Sequence, residues 1–569
     1  MKKLLSAVAV VAVAAGSYWA TQQNSSSSAN AVLDYVPADT VVFSAQFEPF
    51  PIKDYIDSLP EAHKQSPQGL QDLMQNEQDP RSQFFFELVS QYFAAMKDGQ
   101  TFIDTFGFPK DLSAYVYALG AIPVMKLDIE HPDKLWALLD SIEAKTGFTH
   151  QIRASAGAEY RAYTLTNESE TEQIDLVFAI EKQMLTVTFA TSFTDPTLLE
   201  TALGVRPAAD PLSQSPLIKD IFNDHGFLKD GISYINHKEL VKAITTQDGN
   251  RLAKQLSELF SAINEDPFVE FRSQTCRDEL DGIANNWPKT VMGYRQLNID
   301  SQQSDISVST VIESKNQLIM SALNQIRGFL PAYTQDHIGI FSLGLGVDVN
   351  QFVPAMTKVW GELLTPSYQC QPLREMQAEM EAQNPAMLGM FSGFANGVKG
   401  IALSVSDYQL DNDTQEFAVK NLDAIMSLSA EDPASLFNMI KPFAPMLANV
   451  NLPQDGSAIE LNSLLPFPAY LDVKVYMALK GKHLVIYSGD QSKRFADKIA
   501  DEALTSNGLL TMSSDYNKMF TPVMQLLEMS GEPVPEELSS LKDYNMKVKM
   551  DLDVNQQGIV IDSSVQTYK

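Results

Sequence analysis

Leu127-Asp128-Ile129-Glu130-His131-Pro132-Asp133-Lys134-Leu135 returns about 300 residues later as Leu428-Ser429-Ala430-Glu431-Asp432-Pro433-Ala434-Ser435-Leu436. Two further phrases return in the same order. Leu176-Val177-Phe178-Ala179-Ile180, then Leu185 and Val187, matches Val475-Tyr476-Met477-Ala478-Leu479, then Leu484 and Ile486. Val42-Phe43-Ser44 matches Ile340-Phe341-Ser342. Offsets of 298 to 301 at three separated places read as an internal duplication. Each phrase also carries a local instruction. Pro132 opens a helix with Leu135, Leu138, Leu139 and Ile142 on one side. The alternating run Ile174 to Ile180 reverses at Glu181-Lys182-Gln183 into Met184 to Phe189, which reads as a hairpin; the second copy places Lys480-Gly481-Lys482 at that turn.

A strand followed by a helix is expected four times, at Val41 to Ser44, Ile232 to Ile235, Ile338 to Phe341 and Leu509 to Met512. The helices after the last three are Glu239 to Ile244, Phe352 to Leu364 and Tyr516 to Leu527. Ser82 to Lys97 carries a broad apolar helical stripe, and Tyr115 to Leu127 reads as a strand pair. Each copy closes on a hairpin, Gln296 to Ile312 and Met546 to Val565. Antiparallel hairpins alternating with single helices imply an α+β fold. The expected organisation is two tandem, internally duplicated units, each an antiparallel sheet with helices packed on one face. Repeat 1 spans 32–325, with a helical insertion at about 245–287, and repeat 2 spans 326–569.

Seventy-one acidic against 42 basic residues give a formal charge of −29. Such a surface repels phosphate backbones and anionic lipid headgroups, which argues against nucleic-acid binding. Lys2 and Lys3 precede the apolar run Leu4 to Gly16, the pattern of a signal peptide over 1–20. Extended to Ala20, the same run also reads as an N-terminal membrane anchor through residues 4–20, with Tyr18 and Trp19 at the interface. The Ser-rich stretch 21–31 is then a linker. Either reading places the bulk of the chain in the periplasm, soluble after cleavage or anchored to the inner membrane.

The two cysteines of an exported chain, Cys276 and Cys370, are expected to form a disulfide. No nucleophile elbow, P-loop, zinc-helix or dinucleotide signature occurs. The histidines, His63, His131, His150, His225, His237, His337 and His483, are scattered without local metal spacing. Ser539-Ser540-Leu541-Lys542 matches Ser-x-x-Lys but lacks companion motifs. Asp551-Leu552-Asp553-Val554-Asn555 resembles the start of a calcium loop, yet Gln556 stands where glycine is required, so a strand is the better reading. Asp411 to Glu416 reads as a solvated turn. Met380, Met387 and Met390 lie near helical spacing beside Gly389, Gly393 and Gly397; methionines adapt to varied apolar partners, which marks a possible apolar binding surface. No catalytic residue, metal or cofactor is assigned.

Phe106-Gly107-Phe108-Pro109-Lys110-Asp111, continuing through Tyr117-Ala118-Leu119-Gly120 to Pro123-Val124, resembles a family of uncharacterised exported proteobacterial proteins, as does Val36-Pro37-Ala38-Asp39-Thr40. The resemblance implies an envelope location and transfers no catalytic residues. The expected function is a non-enzymatic envelope protein that binds another protein or an apolar ligand between its two halves. The alternatives are a carrier of an apolar ligand or lipid, or a hydrolase whose site is assembled from distant residues.

Overall fold

The computed structural model describes residues 29–64, 77–167, 173–192, 194–263, 265–336, 338–382, 395–411, 418–444, 447–464, 473–530 and 545–569. Residues 1–20, expected to be a signal peptide or anchor, and His337, Met387, Met390, Asn412 to Glu416 and Ser539 to Lys542 lie outside these residues. Among the described residues no helix is long and apolar enough to cross a membrane. The chain is α+β and divides into two compact units, the first closing at Glu313 and the second opening at Ser314. The short segments Gln369–Pro372 and Tyr568–Lys569 group with the first unit.

The first unit contains β1 Val42–Phe50, β2 Leu112–Leu119, β3 Ile122–Asp128, β4 Gln151–Ser155, β5 Ala158–Thr164, β6 Ile174–Glu181, β7 Met184–Thr191, β8 Gly231–Asn236, β9 Lys289–Ile299 and β10 Gln303–Glu313. They form an antiparallel sheet in the order β4-β5-β6-β7-β3-β2-β1-β8-β9-β10. Leu127, Leu176, Phe178 and Leu185 bury one face against helices Pro80–Ala95, Gly99–Phe106 and Pro132–Thr146 through Phe84, Phe102, Phe106, Leu135, Leu139 and Ile142. Pro132 occupies the first turn of its helix, and Gly147 ends it at φ +76°. Helices are not confined to that face. The small residues Ala158, Ala162 and Ala179 let Leu203, from the Pro196–Leu203 helix, close directly on the opposite side. The 245–287 region contains the helices Arg251–Ile263 and Gln274–Asn286.

The second unit contains β11 Phe341–Leu345, β12 Val398–Asp411, β13 Ala418–Ala430, β14 Ile459–Glu460, β15 Tyr476–Lys480, β16 His483–Ser488, β17 Leu510–Asp515, β18 Met546–Val554 and β19 Gly558–Tyr568. Its antiparallel order is β14-β15-β16-β13-β12-β11-β17-β18-β19. Read from β5, the first unit's order passes through the same relative succession of strands. The strand expected at Ile338 to Phe341 begins only at Phe341. Asp551 to Val554 are strand, as the alternation implied, and Asp553 takes the Arg327 guanidinium at 2.6 Å.

Strand register refines the correspondence between the phrases. Leu127 pairs with Leu185, and Leu428 pairs with Leu484. Pro132 and Pro433 each open a helix. The third phrase behaves differently. In the first unit Ala179 connects through Thr186, Lys126 and Tyr115 to Ala45, so it shares a face with Phe43. In the second unit Ala478 connects through Val485, Ser427 and Ala402 to Gly344, so it shares a face with Ser342. Side chains alternate along a strand, which places Phe341 on the face opposite Ala478. Phe43 and Phe341 thus occupy equivalent strands one residue out of register.

Candidate functional site

β15 and β16 form a short hairpin in which Tyr476 stands directly opposite Tyr487. The two rings stack with centroids 5.6 Å apart and planes 26° apart. Beyond Tyr487 the chain turns through Gly489, at φ +89°, into the Asp490–Lys498 helix. Asp423 of β13 fixes that turn by accepting the backbone N–H groups of Gln491 at 2.8 Å and Ser492 at 2.7 Å. Between the tyrosines, this helix and the Gly456-Ser457-Ala458 loop lies a pocket of about 630 Å³. Lys420, Lys474, Lys480 and Lys493 line it together with Asp490 and Asp497.

At the chain's frequency of 42 basic residues in 569, the fifteen lining residues would carry about one basic side chain; they carry four lysines. Lys480 reaches Asp497 at 2.8 Å, and Lys474 reaches Glu460 at 3.4 Å. Burial pushes the Tyr487 hydroxyl pKa up, with Asp497 and Tyr476 adding to the shift. The first unit carries Val177 opposite Thr188 at the matching place in its sheet. Both are buried, and Ala162 of β5 pairs with Val177. In the second unit, among the described residues, only the two-residue β14 lies outside β15. The pocket therefore lies at the second unit's β15–β16 hairpin.

Three other groupings have chemical content. Asp140, Glu143 and His150 bring ligand atoms within 4.8 Å of one another. However, Glu143 Oε1 already accepts the Tyr163 hydroxyl at 2.6 Å and faces His150 Nδ1 at 2.6 Å. Arg161 lies 2.5 Å from Asp140 and 3.8 Å from Glu143, and its guanidinium stacks 4.5 Å over Trp136. Arg161 thus supplies the positive charge that a metal ion would bring.

Ser429 and His483 are hydrogen-bonded at 2.8 Å, the arrangement a serine hydrolase would need. Both side chains are sealed from solvent, and the other His483 nitrogen faces the Glu502 backbone carbonyl at 3.2 Å rather than a carboxylate. Burial lowers the His483 pKa, and the Glu502 carbonyl partly opposes that. A nucleophile at Ser429 would be unreachable.

Lys126 of β3 is buried and pulled down to about 7 by that burial, its ammonium donating to Thr186 Oγ1 at 2.9 Å. The buried hydroxyls of Tyr115, Tyr117 and Tyr234 have no hydrogen-bond partner among the described residues.

Cys276 and Cys370 are bonded, with Cα atoms 4.6 Å apart. Met380 is half-buried on the Gln371–Glu381 helix, while Met387 and Met390 fall outside the described residues. An apolar surface is present elsewhere, on the second unit's sheet. Leu343, Leu345, Ile401, Leu403, Met426 and Met512 share one face and are each 37–43 % exposed. Of the other histidines, His225 meets Glu313 at 2.8 Å and His237 faces the Trp287 carbonyl at 2.8 Å, so both serve packing. The pocket escapes sequence reading because its lining comes from β13, a loop, a hairpin and a helix. The one available signal is the pair of tyrosines facing each other across a predicted hairpin. No protein-family model, curated protein or solved structure matches the chain.

Proposed function

We propose that the chain is an exported, non-catalytic envelope protein whose second unit holds a small molecule in the pocket beside Tyr476 and Tyr487. The observation carrying this reading is a concave site of about 630 Å³ that combines an aromatic pair with convergent polar groups. That size and lining suit a small organic ligand. The buried Ser429–His483 pair and the Arg161-neutralised carboxylates favour binding over hydrolysis. The run Leu4 to Ala20 supports delivery to the periplasm, either by cleavage or as a tether. Matching strand orders and the Leu127–Leu185 and Leu428–Leu484 pairs support descent of the two units from one ancestor.

The test is native mass spectrometry of the full chain purified from its own envelope fraction. A co-purifying small molecule that Tyr476→Ala releases supports the reading. A stoichiometric transition metal, with no organic ligand, overturns it. The open apolar face of β11, β12, β13 and β17 favours a second reading, carriage of an apolar ligand. In that case the co-purifying molecule is a lipid, and Leu403→Lys rather than Tyr476→Ala releases it.

A further inference from the structure

We infer that the ligand of the second unit's pocket is a phosphorylated ring compound, its ring laid against Tyr476 and its phosphate held by the surrounding ammonium groups. This rests on the reading of that pocket as a binding site and adds the chemistry of what enters it.

The argument begins with charge. An acidic chain of net charge −29 places four lysines against two aspartates around one cavity. The four come from separate places in the fold: Lys420 on β13, Lys474 before β15, Lys480 at its end and Lys493 on the helix. A solvated helical face would line up lysines on one element; convergence from three elements is what an anion site requires. Lys480 pairs with the lining Asp497 and Lys474 with Glu460, while Lys493 has no ion pair among the described residues. A phosphate entering the site would therefore meet at least one ammonium group that needs no partner displaced.

The tyrosines supply the second half. Tyr476, half-buried and stacked on the buried Tyr487, presents an apolar ring face at the pocket wall, whereas Val177 and Thr188 at the matching place in the first unit are both buried. Ammonium groups beside an aromatic platform recognise an anion carried on a ring; a nucleotide and a sugar phosphate share that chemistry.

The test is isothermal titration calorimetry of the full chain with adenosine 5′-monophosphate and with glucose 6-phosphate, each beside its unphosphorylated counterpart. At least one phosphorylated probe is expected to bind tenfold or more tightly than its neutral form, with affinity falling as salt is raised. Whichever of the two wins identifies the ring as base or sugar. Lys493→Glu is expected to weaken that binding at least tenfold with an unchanged melting temperature, since the side chain is exposed, and Lys493→Arg is expected to restore it. Neutral probes that bind as tightly as phosphorylated ones would overturn the anion assignment while leaving the pocket a binding site. Failure of all four probes, together with no co-purified small molecule, would overturn both.

Discussion

Lys126 donates its ammonium group to Thr186 Oγ1 at 2.9 Å in a place where both side chains are buried. A hydroxyl cannot neutralise a buried cation, so desolvation is uncompensated and the amine is held at about 7 rather than near 10.5. The unfolded chain takes up this proton as pH falls through 10.5, the folded chain only below about 7. Stability is therefore lost on descending from pH 10.5 to 7 and is level below that, a difference of roughly 5 kcal/mol. Lys126→Met should flatten this window and stabilise the first unit at pH 7 by about 2–4 kcal/mol, less than the full amount because Thr186 loses its donor. Urea unfolding at pH 7 and pH 10 measures both effects. A variant less stable at pH 7 would show that the ammonium group has a compensating partner.

Glu143 lies where Tyr163, His150 and Arg161 converge. Tyr163→Phe should cost about 1–2 kcal/mol, because a buried carboxylate loses one donor. Because Arg161 occupies the cation's place, added zinc should leave the wild-type melting temperature unchanged. Arg161→Gln should let zinc raise it, with Asp140, Glu143 and His150 as ligands. A zinc-dependent rise in the wild type would show that Arg161 does not block the site.

How far the fold was legible depended on which residues faced inward. The hairpins with apolar alternation, β6–β7 and β15–β16, and the helix after Pro132 were plain. The long β12–β13 hairpin was not, because its inward positions include Ser404 and Ser427, fully buried serines that read as surface. They are satisfied by Ser342 and by the Tyr333 hydroxyl, each at 2.8 Å, and such partners are visible only once the strands are placed. β4 was missed for the opposite reason: Gln151 and Ile152 are exposed, so no buried face marks it. The register of Phe43 against Phe341 was hidden because matching letters carry no information about which face they serve. The disulfide was legible from cysteine arithmetic, whereas the pocket required a strand, a loop, a hairpin and a helix to converge.

The Cys276–Cys370 bond closes a loop of 94 residues. In the chain-entropy account a loop of that length restricts the unfolded state by roughly 4–5 kcal/mol. Replacing both cysteines by serine should lower the unfolding free energy by about that amount, and adding reductant to the wild type should match it. A loss below about 1 kcal/mol would mean that the unfolded chain is already compact across this loop.

Gly489 sits at φ +89°, and a Cβ there would lie 2.5 Å from the Asp423 carboxyl carbon. Asp423 is the acceptor for the first N–H groups of the Asp490–Lys498 helix. Asp423→Ala should cost about 1–2 kcal/mol, the loss of a cap. Gly489→Ala should cost more, roughly 2–4 kcal/mol, because it adds left-handed backbone strain to displacement of the same carboxylate. The double variant should cost less than the two singles combined, since the cap can be lost only once. Thermal unfolding of all three variants decides the point. Full additivity would mean that Gly489 serves the backbone turn alone and that Asp423 keeps its hydrogen bonds when a methyl group is placed beside it.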